Sequence, residues 1–138
     1  MTIDPDFSGR LSRYLSRVAA RPFQWGELDC ALFAAGWAMQ MTGIDPAADW
    51  RGKYSTEQGC ARILKRHGGL LTLAANGAQR AGLISTETPS IGAIGVLEVE
   101  TARGRDLALA IYVGSFWSLL SPDGLLMVRA DPVAAWEV

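Results

Sequence analysis

The sequence predicts an α+β domain, with N-terminal helices packed on a small antiparallel β-sheet. Three observations carry this. Apolar residues recur at helical spacing, punctuated by Gly and Pro, over about 8–84. Beyond Pro89 the apolar period becomes two, in short runs separated by glycine-containing turns. No linker-like stretch separates the halves, and 138 residues fit one domain. The chain therefore reads as a single domain over 1–138, with a helical part at about 8–84 and a sheet part at about 90–138. Helices followed by strands, rather than alternating with them, is the α+β order.

The elements follow in turn. Leu11, Tyr14, Leu15 and Val18 share one helical face, with Arg10, Arg13 and Arg17 interleaved and Pro22 as the stop. After a loop over 23–29, Asp29 is the expected N-cap of a helix running from Cys30 to Thr42 and closed by Gly43. A loop follows through Ile44-Asp45-Pro46 and Trp50-Arg51-Gly52-Lys53-Tyr54. Ser55 and Gln58 have capping-box spacing for a third helix, Thr56 to His67, ended by Gly68-Gly69. A fourth runs from Leu70 to Ala81 and stops at Gly82. The period-two segments are Ile94 to Val99 and Leu107 to Val113, joined by a polar turn over 101–105. Phe116 to Leu120 and Leu125 to Arg129 form a second hairpin about Pro122-Asp123-Gly124, and Ala134 to Val138 reads as a last edge strand. Trp37 and Trp50 are expected in the core, and strand alternation leaves Trp117 and Trp136 as candidates for exposure.

Composition narrows the function. Hydrophobic residues make up 49% and charged residues 20%, enough for a real core. A net charge of −1 with no basic block argues against nucleic acid as a partner. No apolar run approaches the roughly 18 residues that span a membrane. Met1 to Asp6 has neither the basic nor the apolar region of a signal peptide, which favours two free thiols, Cys30 and Cys60, over a disulfide. His67 is the one histidine.

The chemistry-bearing phrase is Trp25-Gly26-Glu27-Leu28-Asp29-Cys30, running into Ala31-Leu32-Phe33-Ala34-Ala35. It places Cys30 at the first turn of an apolar helix, where unpaired backbone N–H groups and the helix dipole favour a thiolate nucleophile, while a carboxylate beside it would raise the thiol pKa by like-charge repulsion. Trp25 can wall a cleft and Gly26 allows close backbone approach, so Trp25, Gly26 and Asp29 are the candidate substrate-binding residues. Against this stands the common role of a free cysteine as a small buried hydrophobe. Cys60 shares a helical stripe with Ile63, Leu64 and His67, the pattern of a core position. Cys30, Cys60 and His67 lack the paired spacing of a zinc site, and no phosphate-loop pattern occurs, so neither metal nor cofactor is expected.

This phrase resembles the nucleophile motif of the NlpC-type papain-like cell-wall cysteine peptidases, and more closely a phage- and prophage-associated offshoot of them. The resemblance extends through Thr42-Gly43-Ile44-Asp45-Pro46, Arg51-Gly52-Lys53-Tyr54, Gly68-Gly69, Asp123-Gly124-Leu125 and Ala135-Trp136, covering about residues 10–138. It implies a papain-like core in which Cys30 attacks a peptide carbonyl of the peptidoglycan stem. A histidine early in a strand would take its proton, and a third polar residue would orient that histidine. The matching strand reads Ala108-Leu109-Ala110-Ile111-Tyr112, so Ala108 stands where the family's histidine belongs, and Gly92-Ala93-Ile94 lacks the acidic residue that often opens the preceding strand. Losing a general base typically costs on the order of 10²–10⁴ in rate. His67 is the remaining candidate base, although a histidine at a helix C-terminus is commonly a dipole partner.

Two readings follow. One is a degenerate scaffold serving as a phage tail component at the tail tip or baseplate, with other tail proteins as partners, assembled in the host cytoplasm and carried in the virion. The other is an active peptidase or amidase on peptidoglycan stem peptides during phage entry, with Cys30 as nucleophile. The missing histidine favours the first.

Overall fold

The computed structural model describes residues 7–102 and 104–138. Met1 to Asp6, read above for a targeting signal, and Arg103 of the predicted polar turn lie outside the described residues. Four helices precede a six-stranded antiparallel sheet among these residues. The helices are α1 (Phe7–Ala19), α2 (Leu32–Thr42), α3 (Glu57–Arg66) and α4 (Leu70–Ala81). The strands are β1 (Ile84–Ser85), β2 (Ile94–Thr101), β3 (Gly104–Tyr112), β4 (Trp117–Ser121), β5 (Gly124–Val128) and β6 (Ala134–Glu137).

Apolar content explains which helix lies at the centre. The other three carry charge on one side, whereas α2 contains no charged residue and buries Leu32, Phe33, Ala34, Ala35, Trp37 and Ala38. A helix that is apolar all round must be enclosed. It is held from both sides. Tyr14 of α1 donates its hydroxyl to the Phe33 carbonyl at 2.5 Å, and Trp37 donates its indole N–H to Gly92 O at 2.9 Å. At α3, Thr56 rather than Ser55 is the N-cap, its Oγ1 accepting from Gly59 N at 3.0 Å.

The sheet order is β1-β6-β2-β3-β4-β5. The expected edge strand β6 is therefore internal, with β2 on one side and the two-residue β1 on the other. Local periodicity could not anticipate β1, which follows α4 directly and pairs across more than 50 residues of chain. The two sheet faces differ. Ile94, Val96, Leu109, Ile111, Leu120 and Trp136 join the helices in the main core. Leu97, Ala110, Trp117, Leu119 and Ala135 form a smaller cluster on the opposite face.

Both tryptophans considered for exposure are buried, Trp117 at 2% and Trp136 at 8% relative accessibility. Trp136 lies opposite Ile94 in an interior strand, on the helix-facing side. Trp117 covers Gly95, where an added Cβ would lie 2.7 Å from its ring, and packs on Tyr112 at 5.0 Å between centroids. A strand glycine thus makes room for the indole that closes the far face.

Candidate functional site

The loop before α2 is a tight, internally bonded turn. Gln24 N donates to Leu28 O at 2.8 Å and Leu28 N to Gln24 O at 2.9 Å. Phe23 and Trp25 meet edge to face at 4.9 Å. Gly26 is required by geometry: its φ is +86°, and a Cβ there would lie 1.9 Å from the Tyr54 carbonyl oxygen. Gly26 O in turn accepts from Gly52 N at 3.1 Å, so the loop over 23–29 is stitched to the loop over 50–54.

Asp29 is the centre of this arrangement. It is wholly buried. Its Oδ1 accepts from Ala31 N at 3.0 Å and Leu32 N at 2.9 Å. Its Oδ2 accepts from Gly26 N at 2.9 Å and the Tyr54 hydroxyl at 2.5 Å. The expected cap is thus made, but from further upstream: regular helix begins at Leu32 rather than Cys30, and the intervening turn is wound on the Asp29 carboxylate. Burial, and then the hydrogen bond to Asp29, push the Tyr54 hydroxyl far above its ordinary value, so it stays a donor.

This geometry decides between two opposed effects at Cys30, the helix start that favours a thiolate and the adjacent Asp29 carboxylate that disfavours it. The Ala31 and Leu32 amides at the helix start are already taken by Asp29. The Cys30 thiol is pushed up to about 12, first by burial, then by the neighbouring Asp29 carboxylate and by Cys60, with the amides of Cys30 and Ala31 opposing more weakly. Desolvation and like charge both disfavour a thiolate. The helix-end effect that argued for a nucleophile is outweighed by the carboxylate that caps the helix.

Cys30 lies half-buried on a cleft of about 400 Å³ between α3 and the β3 strand. Trp25, Cys60 and Leu64 wall it, and Glu57 and Asp106 border it, Asp106 sharing with Ala108 the strand face turned away from the helices. Of the three candidate substrate-binding residues only Trp25 reaches this cleft; Gly26 and Asp29 are buried in its supporting loop. Cys60 is buried, and burial raises its thiol too.

His67 is elsewhere. It is the C-cap of α3, its amide donating to Ile63 O at 3.1 Å, and it lines a different cleft with Ile63 and Arg66. Cys30 and His67 are therefore not brought together. Among the described residues no three His, Cys, Asp or Glu side chains group so as to hold a metal ion.

The register of β3 changes how Ala108 is understood. Ala108 borders the Cys30 cleft, but it pairs with Leu97 of the far-face cluster, while Leu107 and Leu109 pack with the helix-facing core. Strand alternation therefore directs the Ala108 side chain away from the helices. The residues presenting side chains from β3 towards Cys30 are Leu107 and Leu109.

Several site residues escaped sequence reasoning, namely Tyr54 as partner of Asp29, and Glu57 and Asp106 on the border of the cleft; Cys60, read as a core position, is buried in the core and also walls the cleft. Tyr54 belonged to a quoted motif, Arg51-Gly52-Lys53-Tyr54, yet nothing local tied it to Asp29, 25 positions away. The neighbouring motif residues are structural as well. Arg51 grips Asp45 through two bonds, Nε to Oδ2 at 2.7 Å and an Nη to Oδ1 at 3.0 Å, clipping the intervening loop.

A family model described as a domain of unknown function (DUF6950) matches residues 2–138, nearly the whole chain. No curated protein and no solved structure matches it. No helix among the described residues is long and apolar enough to cross a membrane.

Proposed function

The chain belongs to the DUF6950 family, and we propose that it is a phage tail-associated protein built on a papain-like peptidase scaffold whose catalytic machinery is degenerate. Its role on this reading is structural, at the tail tip or baseplate, with other tail proteins as partners. The observation that carries the loss of chemistry is the state of Cys30. Its thiol is pushed up to about 12, and the cleft around it is lined mainly by apolar groups, with Glu57 at its border, rather than by a histidine. At neutral pH such a thiol stays protonated, and the protonated form is not the nucleophile. The tail association rests on the resemblance of the Trp25-to-Cys30 phrase and its companion motifs to the phage-associated peptidase offshoot. The exposed Leu126 and Met127 on the open edge strand β5 fit a chain that docks on neighbours.

The second reading, an active peptidase or amidase on peptidoglycan stem peptides, is favoured by one feature: Cys30 opens onto a walled cleft of about 400 Å³, within the size range of ligand sites. It requires a base supplied from outside this chain's own cleft. One pair of assays separates the readings. On the structural reading, iodoacetamide labels Cys30 slowly between pH 6 and 8, purified peptidoglycan releases no stem fragments, and the chain co-purifies with co-expressed tail proteins. Rapid labelling at pH 6, with fragment release abolished by Cys30→Ala, establishes the enzyme instead. Failure to associate with any tail component removes the structural reading.

A further inference from the structure

Helix α3 separates two clefts of opposite character. One is the Cys30 cleft, mainly apolar, with Glu57 at its border. The other, about 570 Å³, opens on the side of α3 that carries Arg62 and Arg66. These arginines are four residues apart, hence on one helical face, and both are exposed. Lys53 joins them from the preceding loop and His67 from the helix C-cap, and the hydroxyls of Ser55 and Thr56 complete the lining. Neither arginine nor Lys53 has an ion-pair partner among the described residues.

The one carboxylate in this cleft is already committed. Asp49 is bonded to Arg80 of α4, which holds it below the usual carboxylate range, with His67 and Lys53 adding to the effect. The Asp49–Arg80 pair leaves the cleft with three permanent positive charges and an imidazole around one concave space. Like charges at i, i+4 repel each other, and a concave wall of one sign concentrates the opposite ion. Two guanidinium groups offer planar N–H forks that match the oxygens of a tetrahedral oxyanion, and an ammonium and hydroxyls supply further donors.

We propose that the cleft formed by Lys53, Arg62, Arg66 and His67 is a binding site for a phosphate ester of a small molecule. A cavity of this size accommodates a phosphorylated metabolite or sugar-sized group. A dianionic head answers three fixed cations better than a single carboxylate does. This site does not depend on the reading of Cys30, which lines the other cleft.

The test is calorimetric titration of the full chain at low ionic strength with pyrophosphate, glycerol 3-phosphate and citrate, since added salt screens such contacts. The two phosphates bind saturably with one site. The doubly substituted Arg62→Gln/Arg66→Gln chain keeps its circular dichroism and loses at least about tenfold in affinity, as expected for two charge-assisted contacts. Lys53→Gln weakens binding by itself, and Arg129→Gln, which removes the guanidinium stacked on Phe116, changes nothing. Three results overturn the proposal: no saturation up to about 10 mM phosphate ligand, an affinity unchanged in the double variant, or citrate binding as tightly as the phosphates.

Discussion

The Asp29 carboxylate accepts four hydrogen bonds and lies beside the Cys30 thiol, so one side chain both winds the start of α2 and holds its neighbour protonated. Asp29→Asn keeps an oxygen for the Ala31 and Leu32 amides but removes the charge and turns an N–H group towards Gly26 N. Stability is expected to fall by about 1–3 kcal/mol, the cost of a buried donor left unpaired. The Cys30 thiol moves down at the same time, so iodoacetamide reacts faster at pH 8 than with the parent chain. An unchanged rate would show that burial by itself sets the thiol. The raised groups also fix an alkaline limit. Cys30 moves from 9.0 to about 12 and Tyr14 from 10.0 to about 12. Between those values the unfolded chain has released protons that the folded chain still binds, so stability falls as pH rises. The urea midpoint is thus expected to hold below pH 9 and decline from 9 towards 12, with a shallower decline in Cys30→Ala.

Strand register decides what faces the cleft. Leu107 and Leu109 belong to the helix-facing core, whereas Ala108 pairs with Leu97 on the other face. A histidine placed at Leu107 is therefore expected to reach the Cys30 cleft, and one placed at Ala108 is not. Leu107→His should raise the iodoacetamide rate at pH 7, while Ala108→His leaves it at the parent value. Activation by Ala108→His instead would mean that this strand turns the opposite face to the helices. Which residues of a strand face a cleft depends on its register, since a one-residue shift turns every side chain over.

The whole molecule is two layers with a thin second cluster on the outer sheet face, closed by Trp117 over Gly95. Gly95→Ala puts a Cβ within 2.7 Å of that ring. The indole must lift, which is expected to cost about 1–3 kcal/mol as overpacking. Its signature is a red-shifted tryptophan emission and a lower denaturant midpoint, with the helix signal in circular dichroism retained. An unshifted emission with the parent midpoint would show that the indole re-seats without strain.

The sequence by itself determined the class of the fold and most of its elements. α4 runs over the expected Leu70–Ala81, α2 ends at Gly43, and both hairpins form about the expected turns. Those features depend on neighbours a few residues apart: capping, glycine stops and apolar period. It also marked Asp29 as a cap and Cys30 as the group on which any cysteine chemistry would turn. What only the tertiary structure decided depends on distant pairs. The two-residue β1 makes β6 an interior strand, Gly95 makes room for Trp117, and Tyr54 closes the fourth hydrogen bond on Asp29. The same holds for the separation of His67 from Cys30 by α3 and for the cationic cleft on its outer side. Burial at a site is a sum over groups that the chain brings together only by folding, and so the desolvation and the nearby Cys60 that add to the Asp29 charge at Cys30 could not be read from its chain neighbours.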